Sequence, residues 1–178
     1  MSRAWYSKTV KEFLKDSNDF IVDELTRNHL ENFSELRPRQ KVAWEKQIKI
    51  LQKQLVDFPD GHILFEYTIP RIGERVDVVI IHLGFVFVIE FKTGEKEFKP
   101  ADIRQTENYA LDLKNFHKES EKCNLVPILI ALRAKSKKNI IKSAEDRVFE
   151  PILCTSRNLH IQIKKIIKTP SKNRINAI

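Results

Sequence analysis

The sequence predicts an α/β domain in which helices cover both faces of a central sheet. Three observations support this fold class. Residues 1–60 have the apolar spacing of helices, residues 63–92 hold three short runs of β-branched and aromatic residues, and residues 100–168 alternate helical and strand-like segments. The chain has 178 residues, which is enough for one ordinary domain and too few for two independent cores.

The first sixty residues are predicted to be helical. Ser17 can cap a helix that runs through Leu25 toward Phe33. Pro38 suits the first turn of a second helix, because a proline there removes no helical hydrogen bond. The apolar residues of this second helix recur at i, i+4, i+7 and i+11 and share one face for burial against a sheet: Trp44, Ile48, Leu51 and Leu55.

From residue 63 onward the period changes to that of strands. Three runs separated by turn residues predict a three-strand antiparallel meander: 63–69, 75–81 and 85–92. The segments after the meander predict, in order, a helix, a strand, a further apolar strand-like run and a last helix: 100–117, 126–132, 148–154 and 158–168. The expected organisation is an N-terminal helical extension, a main domain and a C-terminal tail: 1–36, 37–169 and 170–178.

The composition excludes several classes of protein. Apolar residues make up 42% of the chain and charged residues 31%, as in a globular protein. The longest apolar stretch, Phe85–Ile89, is far shorter than the roughly 20 residues of a membrane-spanning helix. The N-terminus has no apolar signal core, and the cysteines, Cys123 and Cys154, match no close-spaced metal pattern. We therefore expect a cytoplasmic protein with reduced thiols and no membrane segment.

The net charge of +8 is concentrated in the last quarter of the chain. Residues 133–178 contain twelve Lys or Arg against three acids, whereas residues 1–132 contain twenty against twenty-one. A polyanion such as nucleic acid would bind such a basic flank, because each neutralised phosphate releases counterions. A solvated surface that promotes solubility explains the charge equally well.

The turns of the meander predict which acidic residues face each other. If residues 83–84 are a two-residue turn, Asp77 lies directly opposite Glu90. If residues 70–73 form a four-residue turn, Glu66 lies opposite Asp77. The two registers together place three acids in a row across three strands. A turn one residue longer or shorter would move these side chains to opposite faces.

Such a row of carboxylates requires compensation. Lys92 lies two residues after Glu90 and shares its face. Like charges about 4 Å apart repel by roughly 4 kcal/mol at an effective dielectric near 20. Protonation of one acid would relieve the repulsion, and so would a hard divalent cation such as Mg²⁺. The cation also explains why Asp77 and Glu90 interrupt apolar strands. Alternatively, Glu90 faces solvent or simply pairs with Lys92 or Arg75.

These residues resemble a known family of enzymes. Asp77, followed by Glu90-Phe91-Lys92 after a hydrophobic hairpin, resembles the PD-(D/E)XK nuclease superfamily, whose core is helix, β-meander, helix and strand. Gln105 and Tyr109 on the following helix match the Gln-x-x-x-Tyr motif of its RecB-like branch. The resemblance spans roughly residues 44–132. It implies a restriction-endonuclease-like core with a mixed central sheet flanked by helices.

A more distant resemblance concerns a partner. Residues 67–79 and 109–114 resemble nuclease-like domains that lie ahead of a helicase ATPase in bacterial proteins. This chain has no Gly-x-x-x-x-Gly-Lys-[Ser/Thr] loop and therefore no motor of its own. An ATP-driven step would need a helicase or ATPase domain elsewhere in the same system.

The superfamily resemblance also implies a role for each matching residue. Asp77 and Glu90, with the backbone carbonyl of Phe91, would hold one or two Mg²⁺ ions, for which Mn²⁺ can substitute. Lys92 would orient the attacking water and stabilise charge on the scissile phosphate. In the family a third acidic ligand commonly comes from the helix before the meander, where Glu45 is the candidate, whereas the strand register offers Glu66 for the same role.

Two further residues complete the predicted site. Gln105 and Tyr109 are four residues apart and therefore lie on one helical face. In the family this pair supports the site and contacts the substrate. The alternative is a tyrosine packed in the core beside a solvated glutamine.

The resulting hypothesis is a Mg²⁺-dependent deoxyribonuclease that hydrolyses phosphodiester bonds in DNA. The expected context is repair, restriction or phage defence, and RNA is the other candidate substrate. The main alternative keeps the fold without catalysis: an inactive nuclease-fold module that binds nucleic acid or a partner helicase. A third option is a small regulatory protein that binds another protein through its basic flank.

Overall fold

A computed structural model describes residues 3–169, so the predicted tail 170–178 lies outside the described residues. No helix in the described range is both long enough and apolar enough to cross a membrane. In chain order the elements are β1 (Tyr6–Thr9), α1 (Val10–Phe13), α2 (Asn18–Asn32), α3 (Pro38–Gln54), β2 (His62–Thr68), β3 (Arg75–His82), β4 (Phe85–Lys92), α4 (Pro100–Phe116), a 3₁₀ turn (Lys118–Ser120), β5 (Asn124–Ala131), β6 (Ile152–Cys154) and α5 (Leu159–Lys168).

The strands form one mixed sheet in the order β1-β2-β3-β4-β5-β6. The neighbours from β1 to β4 are antiparallel, whereas β4 and β5, and β5 and β6, are parallel. Parallel neighbours require a crossover connection, and α4 provides it between β4 and β5. The structure thus confirms an α/β domain with a mixed sheet that contains the predicted antiparallel meander.

Helices cover both faces of this sheet. On one face, residues of α1, α2, α3 and α5 form the larger hydrophobic core with the sheet. On the other face, α4 packs through Tyr109, Ala110 and Leu113. The four residues predicted to form the buried stripe of α3 and its C-terminal end are all fully buried: Trp44, Ile48, Leu51 and Leu55.

Both predicted turns form, and they determine the register of the meander. Leu83 and Gly84 have φ angles of 50° and 78°, as in the two-residue turns that match strand twist. In the first hairpin the N–H of Ile69 donates to the carbonyl of Glu74 at 2.8 Å, which closes the four-residue turn. The observed pairs are therefore those that the sequence predicted for each hairpin, including Phe65↔Val78 and Val78↔Ile89.

The prediction that the first sixty residues are entirely helical is wrong at the N-terminus. Tyr6–Thr9 forms strand β1, which pairs antiparallel with β2 at the edge of the sheet. A strand of four residues is too short to show a period, and its partner lies more than fifty residues away along the chain. The predicted strand-like run 148–154 is also shorter in the structure, where β6 begins at Ile152.

The short helix α1 begins with a capping box. Thr9 Oγ1 accepts a hydrogen bond from the N–H of Glu12 at 3.2 Å, and Glu12 Oε2 accepts one from the N–H of Thr9 at 3.0 Å. We expect Thr9→Ala to lower the free energy of unfolding by about 1 kcal/mol, because a helical N–H loses its partner. Urea denaturation measures this change. Ser143→Ala, at an exposed position, is the control and should change stability by less than about 0.5 kcal/mol.

Candidate active site

The site begins where β3 and β4 separate. Their regular pairing ends at Val78↔Ile89. At the next position Asp77 Oδ2 accepts a hydrogen bond from the backbone N–H of Phe91 at 2.8 Å. The carboxylate of Asp77 is therefore fixed between the two strands, beside Glu90 on the neighbouring strand.

Asp77 and Glu90 form a pair of neighbouring carboxylates, and Lys92 is paired with Glu90. Glu90 is only 7% exposed, and its Oε2 atom has no hydrogen-bond partner among the described residues. Burial raises the pKa of Glu90, and Lys92 partly opposes this shift. Burial and the charge of Glu90 raise the pKa of Asp77 well above its usual range. The protein thus maintains two acids where their ionised forms are unfavourable.

Oxygen atoms of neighbouring residues hold the ammonium group of Lys92 in place. Its Nζ donates to Gln105 Oε1 at 3.0 Å and to Glu90 Oε1 at 3.1 Å, and lies 3.5 Å from Asp102 Oδ1. Burial alone would lower the pKa of Lys92, but the surrounding carboxylates raise it, so the group stays charged at neutral pH. Two of its three N–H donors are thus bonded to side-chain oxygens, and Asp102 adds an ion pair.

Helix α4 supplies the far side of the site. Gln105 Nε2 donates to the hydroxyl of Tyr109 at 2.8 Å, while Gln105 Oε1 accepts from Lys92. Burial and the charge of Glu90 raise the pKa of Tyr109 to about 12, so its hydroxyl remains protonated. The predicted pair Gln105 and Tyr109 therefore lies at the site, joined to Glu90 through Lys92. The alternative of a solvated glutamine is wrong, since both polar atoms of the Gln105 side chain are hydrogen-bonded to Lys92 and Tyr109.

Glu66 differs from the other two acids of the predicted row because its carboxylate has its own partners, although its charge still raises the pKa of Asp77 and Glu90. Glu66 occupies the predicted register position but has a φ of 51°, and its carboxylate turns toward α3. There Trp44 Nε1 donates to it at 2.7 Å and Gln40 Nε2 at 3.1 Å, and Arg75 Nε lies 3.6 Å away. Both oxygens of Glu66 are therefore engaged by α3 and by the first residue of β3.

The other candidate third acid, Glu45, is half-buried on α3, and the structure shows no hydrogen bond or ion pair from its side chain to Asp77 or Glu90. Within residues 3–169 no group of three or more His, Cys, Asp or Glu side chains is arranged to hold a metal ion. The structure thus brings together Asp77 and Glu90, and Glu66 lies near enough for its charge to raise the pKa of both. The choice between Glu45 and Glu66 as a third ligand remains a prediction.

Gln47 is a site residue that the sequence did not reveal. Its Nε2 donates to Asp77 Oδ2 at 3.4 Å, and its Oε1 is buried without a hydrogen-bond partner among the described residues. Gln47 is only 3% exposed and lies next to Ile48 in the apolar stripe of α3. A polar residue within a buried stripe was the signal that could have identified it.

Asp102 is the second residue that sequence reasoning missed. It lies in the first turn of α4, and its carboxylate is 3.5 Å from the ammonium group of Lys92. The available signal was its spacing, three residues before Gln105, which places both on one helical face.

The chain was compared with family models, curated proteins and solved structures. No family model, no curated protein and no solved structure matches this chain. The resemblance to the PD-(D/E)XK superfamily therefore rests on Asp77, Glu90-Phe91-Lys92 and the pair Gln105 and Tyr109.

Proposed function

We propose that this protein is a metal-dependent nuclease that hydrolyses phosphodiester bonds in DNA, with a restriction-endonuclease-like core of the PD-(D/E)XK type. One observation carries the proposal. Within residues 3–169, Glu90 Oε2 is buried without a hydrogen-bond partner beside Asp77, while Glu90 Oε1 lies 3.1 Å from the ammonium group of Lys92. A buried, unsatisfied carboxylate oxygen is costly unless a ligand completes its coordination.

The residues present fit a hard divalent cation. Mg²⁺ and Mn²⁺ favour carboxylate and carbonyl oxygens, and Asp77 and Glu90 supply two carboxylates at the gap between β3 and β4. The amide oxygen of Gln47 has no hydrogen-bond partner in the part of the chain that the structure describes, and it is a further oxygen ligand on a residue that contacts Asp77. The superfamily resemblance adds the backbone carbonyl of Phe91. A bound cation would also neutralise the two acids, whose ionised forms burial disfavours.

The chain's own groups suit the hydrolysis of a phosphodiester. A bound Mg²⁺ would supply a nucleophilic hydroxide by lowering the pKa of a bound water, and would polarise the phosphate. Lys92 holds a positive charge beside the acids, where it can stabilise negative charge that develops on a phosphate oxygen. Its longest contact, 3.5 Å to Asp102, is the one that a phosphate oxygen would replace. Gln105 and Tyr109 orient the ammonium group and keep its position constant.

Isothermal titration calorimetry with Mn²⁺ tests the cation site directly. We expect the wild-type protein to release or absorb heat on Mn²⁺ addition, and Glu90→Gln to lose that signal because a ligand oxygen is removed. Glu145→Gln, an exposed acid far along the chain, is the matched control and should bind as the wild type does. Parallel titrations of Glu45→Gln and Glu66→Gln identify which of them, if either, is a third ligand. Equal heats in wild type and Glu90→Gln would contradict the site.

The activity itself is tested with linear, nicked and single-stranded DNA, with RNA as a further substrate. We expect cleavage in Mg²⁺ or Mn²⁺ and none in EDTA. A protein that binds Mn²⁺ but cleaves none of these substrates would reject the nuclease. That result would favour the inactive module that binds nucleic acid or a helicase.

A further inference from the structure

The segment that follows β5 carries an uncompensated positive charge. Residues 133–142, here called the basic loop, contain five Lys or Arg and no acid: Arg133, Lys135, Lys137, Lys138 and Lys142. Over residues 1–132, by contrast, the cationic and acidic residues nearly cancel. The loop is therefore the part of the main domain with the densest run of one sign of charge.

The fold places the start of this loop beside the candidate active site. In the parallel pair of β4 and β5, Ala131 lies opposite Lys92. The N–H of Leu132 then donates to the carbonyl of Lys92 at 3.3 Å, and the N–H of Arg133 donates to the carbonyl of Glu95 at 3.2 Å. Neighbouring strands are about 4.8 Å apart, so the loop leaves the sheet one strand away from the ammonium group of the site.

Side-chain hydrogen bonds connect the basic loop to β6 and to the residue before α5. Asn139 pairs with Leu153 of β6 as a strand would, since its amide donates to the Leu153 carbonyl at 2.9 Å and its oxygen accepts from the Leu153 N–H at 2.8 Å. Asn158 also donates to the hydroxyl of Ser136 at 3.3 Å. A loop ordered in advance loses less conformational entropy when it binds a ligand.

The central lysines of the loop are available to such a ligand. Lys135, Lys137 and Lys138 are exposed, and the structure shows no carboxylate paired with any of them in residues 3–169. Lys137 Nζ lies over the ring of Phe98 at 5.7 Å, which keeps it next to the segment that follows Lys92. Of the five cations only Lys142 has an acidic partner there, Glu150 at 3.4 Å.

The composition of the loop favours duplex over single-stranded nucleic acid. Sites for single strands combine cations with aromatic side chains on which unpaired bases stack. Residues 133–142 contain no aromatic residue, so the loop offers charge without a stacking surface. Exposed lysines in a fixed array suit the phosphates of a duplex backbone. We propose that the basic loop binds the phosphate backbone of duplex DNA and directs the duplex across the Asp77–Lys92 site, an inference whose second part rests on the proposed function.

Fluorescence anisotropy with a labelled DNA duplex, in EDTA so that no cleavage occurs, tests the loop separately from catalysis. The affinity is measured between about 50 and 200 mM salt, where phosphate contacts weaken steeply. For Lys135→Gln/Lys137→Gln/Lys138→Gln we expect weaker binding and a log–log salt slope less steep by about 2.7, about 0.9 for each lost contact. The control, Lys11→Gln/Lys15→Gln/Lys53→Gln, removes three exposed lysines at the opposite end of the strands and should match the wild type.

Three outcomes would overturn the inference. They are an equal loss of duplex affinity in the loop and control variants, no loss of duplex affinity in the loop variant, and tighter binding of a single strand than of the duplex of equal length. None of these depends on metal binding or cleavage. A failure of the loop is therefore distinguishable from a failure of the nuclease, which would appear as unchanged Mn²⁺ heat in Glu90→Gln or as absent cleavage.

Discussion

Lys92→Met is expected to lower the rate of DNA cleavage by about 10²–10³-fold, the effect of removing one preorganised electrostatic contact to a transition state. Methionine keeps an unbranched side chain of similar length but lacks the charge. The divalent cation should still bind, because Asp77 and Glu90 remain and a neighbouring positive charge has been removed. Single-turnover cleavage and Mn²⁺ calorimetry on the same preparation measure the two effects separately.

A purely structural role for Lys92 predicts a different result. In that case the cleavage rate of Lys92→Met would fall only as far as the folded fraction or the affinity for Mn²⁺ falls. Circular dichroism and the Mn²⁺ titration detect such losses directly. Lys11→Met, an exposed lysine on α1, should cleave as the wild type does. Cleavage by Lys92→Met within about twofold of the wild-type rate would exclude Lys92 from the reaction.

The meander was predictable because its turns are local. Leu83 and Gly84 both adopt positive φ, the geometry of a two-residue turn, and one turn determines every pair along the hairpin. The register then brings Asp77 and Glu90 together without any knowledge of the helices. The pair Gln105 and Tyr109 was predictable for the same reason, since helical spacing alone places both on one face.

What the sequence did not reveal depends on distant partners. The carboxylate of Glu66 is bound by Trp44 and Gln40 on α3 and by Arg75 on β3, contacts that local spacing does not predict. The left-handed backbone of Glu66 is unusual for a residue with a side chain, and no local pattern announces it.

Strand β1 likewise depends on its pairing with β2, from which three helices separate it in the sequence. The contact of Gln47 with Asp77 requires the packing of α3 on the sheet. Local rules thus accounted for the pair of acids and the lysine, whereas tertiary contacts decided which other groups reach them.

Asp77→Asn is expected to stabilise the metal-free protein at pH 8 by about 2 kcal/mol, half of the roughly 4 kcal/mol by which like charges about 4 Å apart repel at an effective dielectric near 20. Asparagine keeps an oxygen that can accept the Phe91 N–H and removes the charge that opposes Glu90. At about 2–4 °C per kcal/mol for a chain of this size, the melting temperature should rise by about 4–8 °C. Differential scanning calorimetry in EDTA measures it.

The stabilisation of the metal-free protein by Asp77→Asn should depend on pH in a defined direction. The pKa of Asp77 is higher in the folded state than in the unfolded chain, so the folded state binds the proton more tightly. The wild type therefore loses stability as the pH rises above the usual range of an aspartate toward the raised pKa, and the loss is complete above it. Asp77→Asn lacks this loss, so the difference in free energy of unfolding between Asp77→Asn and the wild type should shrink as the pH falls. Asp60→Asn, an exposed acid, should show no such trend.

Addition of Mg²⁺ should make the melting temperature of the wild type higher than that of Asp77→Asn, the reverse of the order in EDTA. A cation that binds only the folded wild type stabilises it by RT ln(1 + [Mg²⁺]/Kd), so its melting temperature rises with the Mg²⁺ concentration, whereas Asp77→Asn has lost a ligand and gains little. Stability that is given up in the metal-free state and recovered on cation binding is the thermodynamic signature of a ligand site. A structural ion pair would instead lose stability when Asp77 is neutralised, with or without Mg²⁺. Destabilisation of Asp77→Asn in EDTA would therefore assign the acid pair to the fold and remove the basis for the nuclease.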